Sequence, residues 1–148
     1  MDGRRKYIIG GNWKSNGSVD FVRELCTKTL NEMKFDSSKV DVVVAPVFIH
    51  IASAKAMLNS NIHVAAQNIS ANKNGAYTGE VSAEQIKDFE VDWCIIGHSE
   101  RRTLFGETNQ VVATKVTRAQ ESGLCSIICV GETLAEREAA KTNEVLKE

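Results

Sequence analysis

Cys125-Ser126-Ile127-Ile128-Cys129-Val130-Gly131-Glu132-Thr133-Leu134-Ala135-Glu136 is an apolar run that passes through one glycine straight into a capped helix. The run lacks the polar alternation of a strand with one wet face. It therefore reads as a parallel strand buried on both sides. Thr133 and Glu136 match a capping box, in which hydroxyl and carboxylate reciprocally satisfy free N–H groups of the first turn. Strand end, tight turn and helix start together make a βα unit.

The same unit recurs upstream. Residues 7–11, Val40–Ala45, 63–66 and Trp93–Ile96 are further short apolar runs. Between the first two, Val22, Leu25, Cys26, Thr29, Leu30 and Met33 recur at helical spacing. Helical segments follow at 49–58, at 82–89 behind a second capping box (Ser82, Gln85), at 108–122 with Gly123 as a C-cap, and at 133–147. Five βα units in succession require right-handed crossovers and a parallel sheet. Pro46, the only proline, falls where the second strand should stop. A doubly wound sheet is complete at five strands, whereas a (β/α)8 barrel needs eight and ~250 residues. The last helical segment ends at Val145-Leu146-Lys147-Glu148 with no glycine or proline to stop it, as if cut. That favours an α/β fold of the (β/α)8 barrel type, incomplete here, with residues 1–148 the N-terminal part of a single barrel domain.

Composition narrows the function. The 148 residues carry 18 basic and 19 acidic side chains, net −1, with no basic patch to track a nucleic-acid backbone. Phosphate would be met by single groups. No apolar run spans a membrane, and Ile8-Ile9 behind the charged start Met1-Asp2-Gly3-Arg4-Arg5-Lys6 is too brief for a signal-peptide core. Cys26, Cys94, Cys125 and Cys129 follow no metal-ligand or disulfide spacing, and the last three sit in runs that read as buried strands. Reduced thiols, a cytoplasmic protein and no cofactor or metal are expected.

In parallel α/β folds reactive groups project from the C-terminal ends of strands. Three strand ends carry polar residues: Gly10-Gly11-Asn12-Trp13-Lys14, Ile96-Gly97-His98-Ser99-Glu100-Arg101-Arg102 and Cys129-Val130-Gly131-Glu132. Lys14 offers an ammonium, although a lysine after a strand is ordinarily a solvated loop residue. Gly97 lets the chain turn, and Ser99 can cap a new helix. His98 would then lie at its positive end, where the dipole disfavours imidazolium. A neutral imidazole donates to a carbonyl and shuttles a proton. His50 and His63 lack comparable neighbours and read as structural. The long connection 68–79 is of a kind that is usually functional.

Gly11-Asn12-Trp13-Lys14-Ser15-Asn16-Gly17, Gly79-Glu80-Val81-Ser82, Ile96–Arg102 as quoted and Cys129–Glu132 as quoted resemble, in order and spacing, four signatures of the triosephosphate isomerases. The resemblance implies interconversion of dihydroxyacetone phosphate and D-glyceraldehyde 3-phosphate through an enediolate in glycolysis and gluconeogenesis, without cofactor. It makes His98 the electrophile and proton shuttle, Lys14 the charge on phosphate and enediolate, and Asn12 a substrate-orienting amide. Glu100 would hold Lys14 and join the proton network; Ser99 would contact the resting base. It further implies a homodimer through the loop that starts at Gln67 and ends at Glu80. Thr78 would reach the neighbouring subunit beside Tyr77, and Glu80 and Arg101 would pair across the interface. The glutamate base, the lid and later phosphate loops have no counterpart by motif, so the isolated chain is expected to be inactive. The alternative is a non-catalytic module for dimerisation or complementation.

Overall fold

The structure, a computed structural model, describes residues 5–147. Met1 to Arg4, part of the charged start, and Glu148 lie outside the described residues. Five strands, β1 (Tyr7–Asn12), β2 (Val40–Ala45), β3 (Ile62–Ala66), β4 (Trp93–Ile96) and β5 (Cys125–Ile128), form one parallel sheet in the order β1-β2-β3-β4-β5. Helices α1 (Val19–Lys28), α2 (Phe48–Met57), α3 (Ala83–Asp88), α4 (Ser99–Phe105), α5 (Asn109–Glu121), α6 (Leu134–Glu138) and α7 (Thr142–Val145) alternate with them. These are consecutive units of an incomplete (β/α)8 barrel, as the sequence pattern predicts.

Burial explains why the strands lack polar alternation. On one face Val43, Ala45, Ala65 and Ile95 pack with Trp93, Ile127 and Cys129. On the other, Val64, Ala66, Cys94 and Ile96 meet Val22 and Cys26 of α1, Ile51 and Ala54 of α2, Ile86 of α3, and Val112 and Ala119 of α5. Both faces of the central strands are dry, and each buried Val or Ile contributes about 1.5–3 kcal/mol. The outer strands differ. Ile8, Ile9 and Ile128, with Val130 just past β5, are about half exposed or more. Cys125, expected inside a buried strand, is exposed for the same reason, since β5 packs on one neighbour only.

Both capping boxes form, at Ser82 with Gln85 and at Thr133 with Glu136. The segment 133–147, read as one helix, is two. At Ala140 the backbone turns left-handed (φ 58°), the Ala140 N–H donates to Arg137 O and the Lys141 N–H to Glu136 O. That is a Schellman stop. α3 ends identically at Glu90 (φ 54°), and α5 at Gly123 (φ 71°). The helix read from Val22 to Met33 stops at Lys28, and a 3₁₀ turn (Leu30–Glu32) carries the rest of its apolar stripe.

Candidate functional site

The C-terminal ends of β1 and β4 bring the polar strand-end residues together. The Asn12 side chain accepts the Lys14 N–H (2.9 Å) as Lys14 adopts φ 53°. A left-handed non-glycine costs ~1–2 kcal/mol, and such strain collects where a side chain must be aimed. Gln67, just past β3, fixes this turn from below. Its amide donates to Lys14 O and to Ala45 O at the end of β2, both at 2.8 Å. Lys14 Nζ then lies 2.7 Å from Glu100 Oε1, while the other carboxylate oxygen of Glu100 faces His98 Nδ1 at 3.5 Å. The hydrogen bond and then the charge of Lys14 hold the Glu100 carboxyl below the usual carboxylate range.

Ser99 does not cap α4. His98 itself is the N-cap, with Nδ1 accepting the Glu100 N–H at 3.2 Å, because Gly97 (φ 71°) turns the chain one residue earlier than the serine pattern predicts. An accepting Nδ1 leaves the ring hydrogen on Nε2, so the imidazole can donate from that nitrogen. His98 and Asn12 share a cavity of about 190 Å³ lined below by Val43, Ala45, Ala65 and Ile95. A dry floor under polar groups strengthens every electrostatic contact made there. Ser99 is exposed on the adjoining side, where His98, Cys129 and Glu132 border a second cavity of about 210 Å³.

Glu132 lies in the third strand-end motif but is committed elsewhere. It accepts from the Thr142 hydroxyl at 3.1 Å and sits 3.6 Å from Arg137. A hydrogen bond from its own backbone N–H and the one from Thr142 keep its carboxyl low. Burial pushes the Cys129 thiol up, and the Cys94 thiol up to about 11.

Arg101 pairs within the chain. Its Nε donates to Glu107 Oε1 at 2.7 Å, and its guanidinium stacks 4.1 Å over Phe105. Lys115 donates to the same oxygen (2.6 Å) and to Asn68 (2.8 Å). Sequence reasoning missed this cluster, in which Glu107 and Lys115 are buried and Arg101 is partly exposed. The available signal was Lys115 itself, which shares the buried stripe of α5 with Val112 and Ala119. Thr78, Tyr77 and Glu80 are exposed. Among the described residues no group of three His, Cys, Asp or Glu could hold a metal ion, and no helix is long and apolar enough to cross a membrane.

The family model for triosephosphate isomerase matches residues 7–148. The chain belongs to the triosephosphate isomerase family. It is 50% identical over 142 residues to the triosephosphate isomerase of Hahella chejuensis, covering 95% of this chain and 56% of that protein. The cytosolic triosephosphate isomerase of rice (Oryza sativa subsp. japonica) is 48% identical over 143 residues, 96% of this chain and 56% of the relative. The chloroplastic triosephosphate isomerase of Fragaria ananassa is 45% identical over 148 residues, 100% of this chain and 46% of the relative. The chain thus spans about half the length of the curated triosephosphate isomerases it matches.

Proposed function

We propose that this chain is the N-terminal part of one barrel domain whose complete form interconverts dihydroxyacetone phosphate and D-glyceraldehyde 3-phosphate. The observation that supports this most is that Asn12 and His98 line one apolar-floored cavity while the Lys14–Glu100 pair is anchored to both through the Asn12 side chain and the His98 ring. Lys14 supplies positive charge to the phosphate and to the enediolate oxygens as they develop. Asn12 orients the reacting oxygen. His98 donates from Nε2 to that oxygen and relays the proton; a neutral histidine at a helix terminus is a known device of this enzyme family. Glu100 holds Lys14, and Ser99 faces the place of the resting base.

Alone, the chain is inactive in this reading. By motif no glutamate among the described residues takes the place of the base, and Glu132 of the third motif accepts from Thr142 instead. A positioned base is worth ~10²–10⁴-fold by itself. The test is a coupled isomerase assay on chain of verified mass, beside a form completed with the remaining units. Near-normal turnover by the short chain refutes the inactivity. A completed form that keeps substantial activity with Lys14→Met refutes the role of Lys14.

A second reading, a non-catalytic dimerisation or complementation module in the cytoplasm, draws on the loop from Gln67 to Glu80. Lys115 and Arg118 of α5 tether it through Asn68 and Ala71, while Tyr77, Thr78 and Glu80 stay free for a second copy. Arg101 would leave Glu107 to meet a partner's Glu80, or be shared between them. Sedimentation of the chain against its Tyr77→Ser/Thr78→Asp variant tests this; unchanged association excludes the loop.

A further inference from the structure

Arg102 belongs to the fourth-strand motif, yet neither the substrate groups nor the proposed interface uses it. Its side chain is half-buried and reaches three separate elements. Nε donates to Gly97 O at 2.8 Å, Nη2 to Cys129 O at 3.2 Å, and Nη1 to Asn109 Oδ1 at 2.7 Å. The positions of the two carbonyls matter. The hydrogen-bond ladder between β4 and β5 runs out where the Cys129 N–H donates to Ile96 O at 2.9 Å. Beyond that rung the strands separate into their turns, and Gly97 O and Cys129 O both point inward as acceptors. One planar guanidinium satisfies both, with donors in a fixed fork that a lysine lacks. The same residue's third contact reaches the first turn of α5.

Space has been made for it. A Cβ added at Gly97 would come within 3.0 Å of Arg102 Nη2 and of both Val112 methyls, at φ +71°. The glycine therefore serves the guanidinium as well as the turn. The next residue is His98, whose backbone direction is set by the Gly97 carbonyl that Arg102 holds.

We infer that Arg102 is a positioning residue for His98, a clamp that adds one side-chain rung to the β4–β5 ladder and fixes the turn from which the imidazole projects. This rests on the reading of His98 as the reacting imidazole only for its consequence in turnover; the clamp itself is a property of this chain. Its guanidinium Nε–H is closed off by Gly97 O, and its loss frees the turn, so that Nδ1 of His98 no longer holds the Glu100 N–H.

The test is ¹⁵N NMR of the full chain. In the parent, the Arg102 Nε–H is expected as a resolved, slowly exchanging resonance, and His98 as a single ring tautomer with the hydrogen on Nε2. Arg102→Lys is expected to shift both ring nitrogens toward tautomer averaging. Asn109→Ala removes only the outer anchor and leaves every strand contact in place, so it guards against a variant that fails to fold. It is expected to speed Arg102 Nε–H exchange severalfold and move the ring signals in the same direction by less. Arg118→Lys, on the far side of α5, should leave the ring unmoved. A rapidly exchanging Arg102 Nε–H in the parent overturns the inference. So do His98 signals unchanged in Asn109→Ala while Arg102 exchange rises. If the clamp responds as stated and the completed enzyme proves inactive toward triose phosphates, the functional reading fails and the clamp stands.

Discussion

Three helices end in the same hydrogen-bonded stop, but only one has glycine at its left-handed position. In α5 that residue is Gly123 (φ 71°), and an added Cβ there meets nothing within 4 Å. Gly123→Ala thus tests the backbone contribution alone. A left-handed alanine costs ~1–2 kcal/mol, and its stiffer unfolded chain returns ~0.5–1 kcal/mol, leaving a net loss of roughly 0.5–1 kcal/mol. Ala140→Gly, at φ 58° after α6, runs the balance backwards and should gain the same amount. Urea unfolding followed by far-ultraviolet dichroism at pH 7 reads both changes, as does the melting temperature, at about 2–4 °C per kcal/mol for a chain of this size. The Lys141 and Leu124 amides, which close the two stops onto Glu136 O and Ala119 O, give the local reading. Lys141 exchange should slow about 2–5-fold in Ala140→Gly, and Leu124 exchange should quicken by a similar factor in Gly123→Ala. If both substitutions shift stability in one direction, or Ala140→Gly lowers it, backbone strain is not what these positions hold.

Burial alone would raise the Glu107 carboxyl, but hydrogen bonds and charge from Lys115 and Arg101 outweigh it and hold it low. Its stabilisation is therefore complete above the unfolded value, about 4.3, and drains away as pH falls through the lower folded value. Lys115→Met should cost ~2–4 kcal/mol at pH 7 and flatten that acid limb; an unchanged limb in pH-dependent urea midpoints would count against the pairing. Gly97→Ala, with φ +71° and contacts near 3.0 Å to Val112 and Arg102, should cost ~2–3 kcal/mol by denaturation. A loss below ~0.5 kcal/mol would show that Arg102 and Val112 yield freely. The exposed Ile8, Ile9 and Ile128 of the outer strands, with Val130 just past β5, should make the isolated chain bind hydrophobic dyes and associate. A discrete, cooperatively melting monomer in ultracentrifugation would show the five units to be self-sufficient.

The alternation of strands and helices was legible because Val42–Val44 and Ala65–Ala66 bury both faces, leaving no polar residue to break the run. The strand-end rule singled out the motifs that carry Asn12, Lys14 and His98, whereas the pairing of Glu100 with Lys14 was implied only by the family resemblance. What stayed hidden depended on backbone conformation or distant partners. Ala140 carries no composition signal for a left-handed stop, so α6 and α7 appeared as one helix. The cap passed from Ser99 to His98 because an imidazole Nδ1 can accept an N–H as a hydroxyl does. Gln67 meets Lys14 and Ala45 at separations no local pattern encodes, and Lys115 of the Glu107 cluster also reaches back to Asn68.

Strand order along the sheet is also the order of synthesis. Each strand after the first finds its partner already made, so pairing can proceed while the polypeptide is still leaving the ribosome, at ~5–20 residues per second. Loop closure spans only the segment between consecutive strands, one or two helices at a time, which keeps the entropic cost of each addition small. The outer edge of β1 is the exception. It is the earliest strand to emerge, and on that side Ile9 stays half exposed even after β5 has docked. A nascent chain of this design carries one sticky margin from its first strand onward, and that margin is where a chaperone would have the longest time to act.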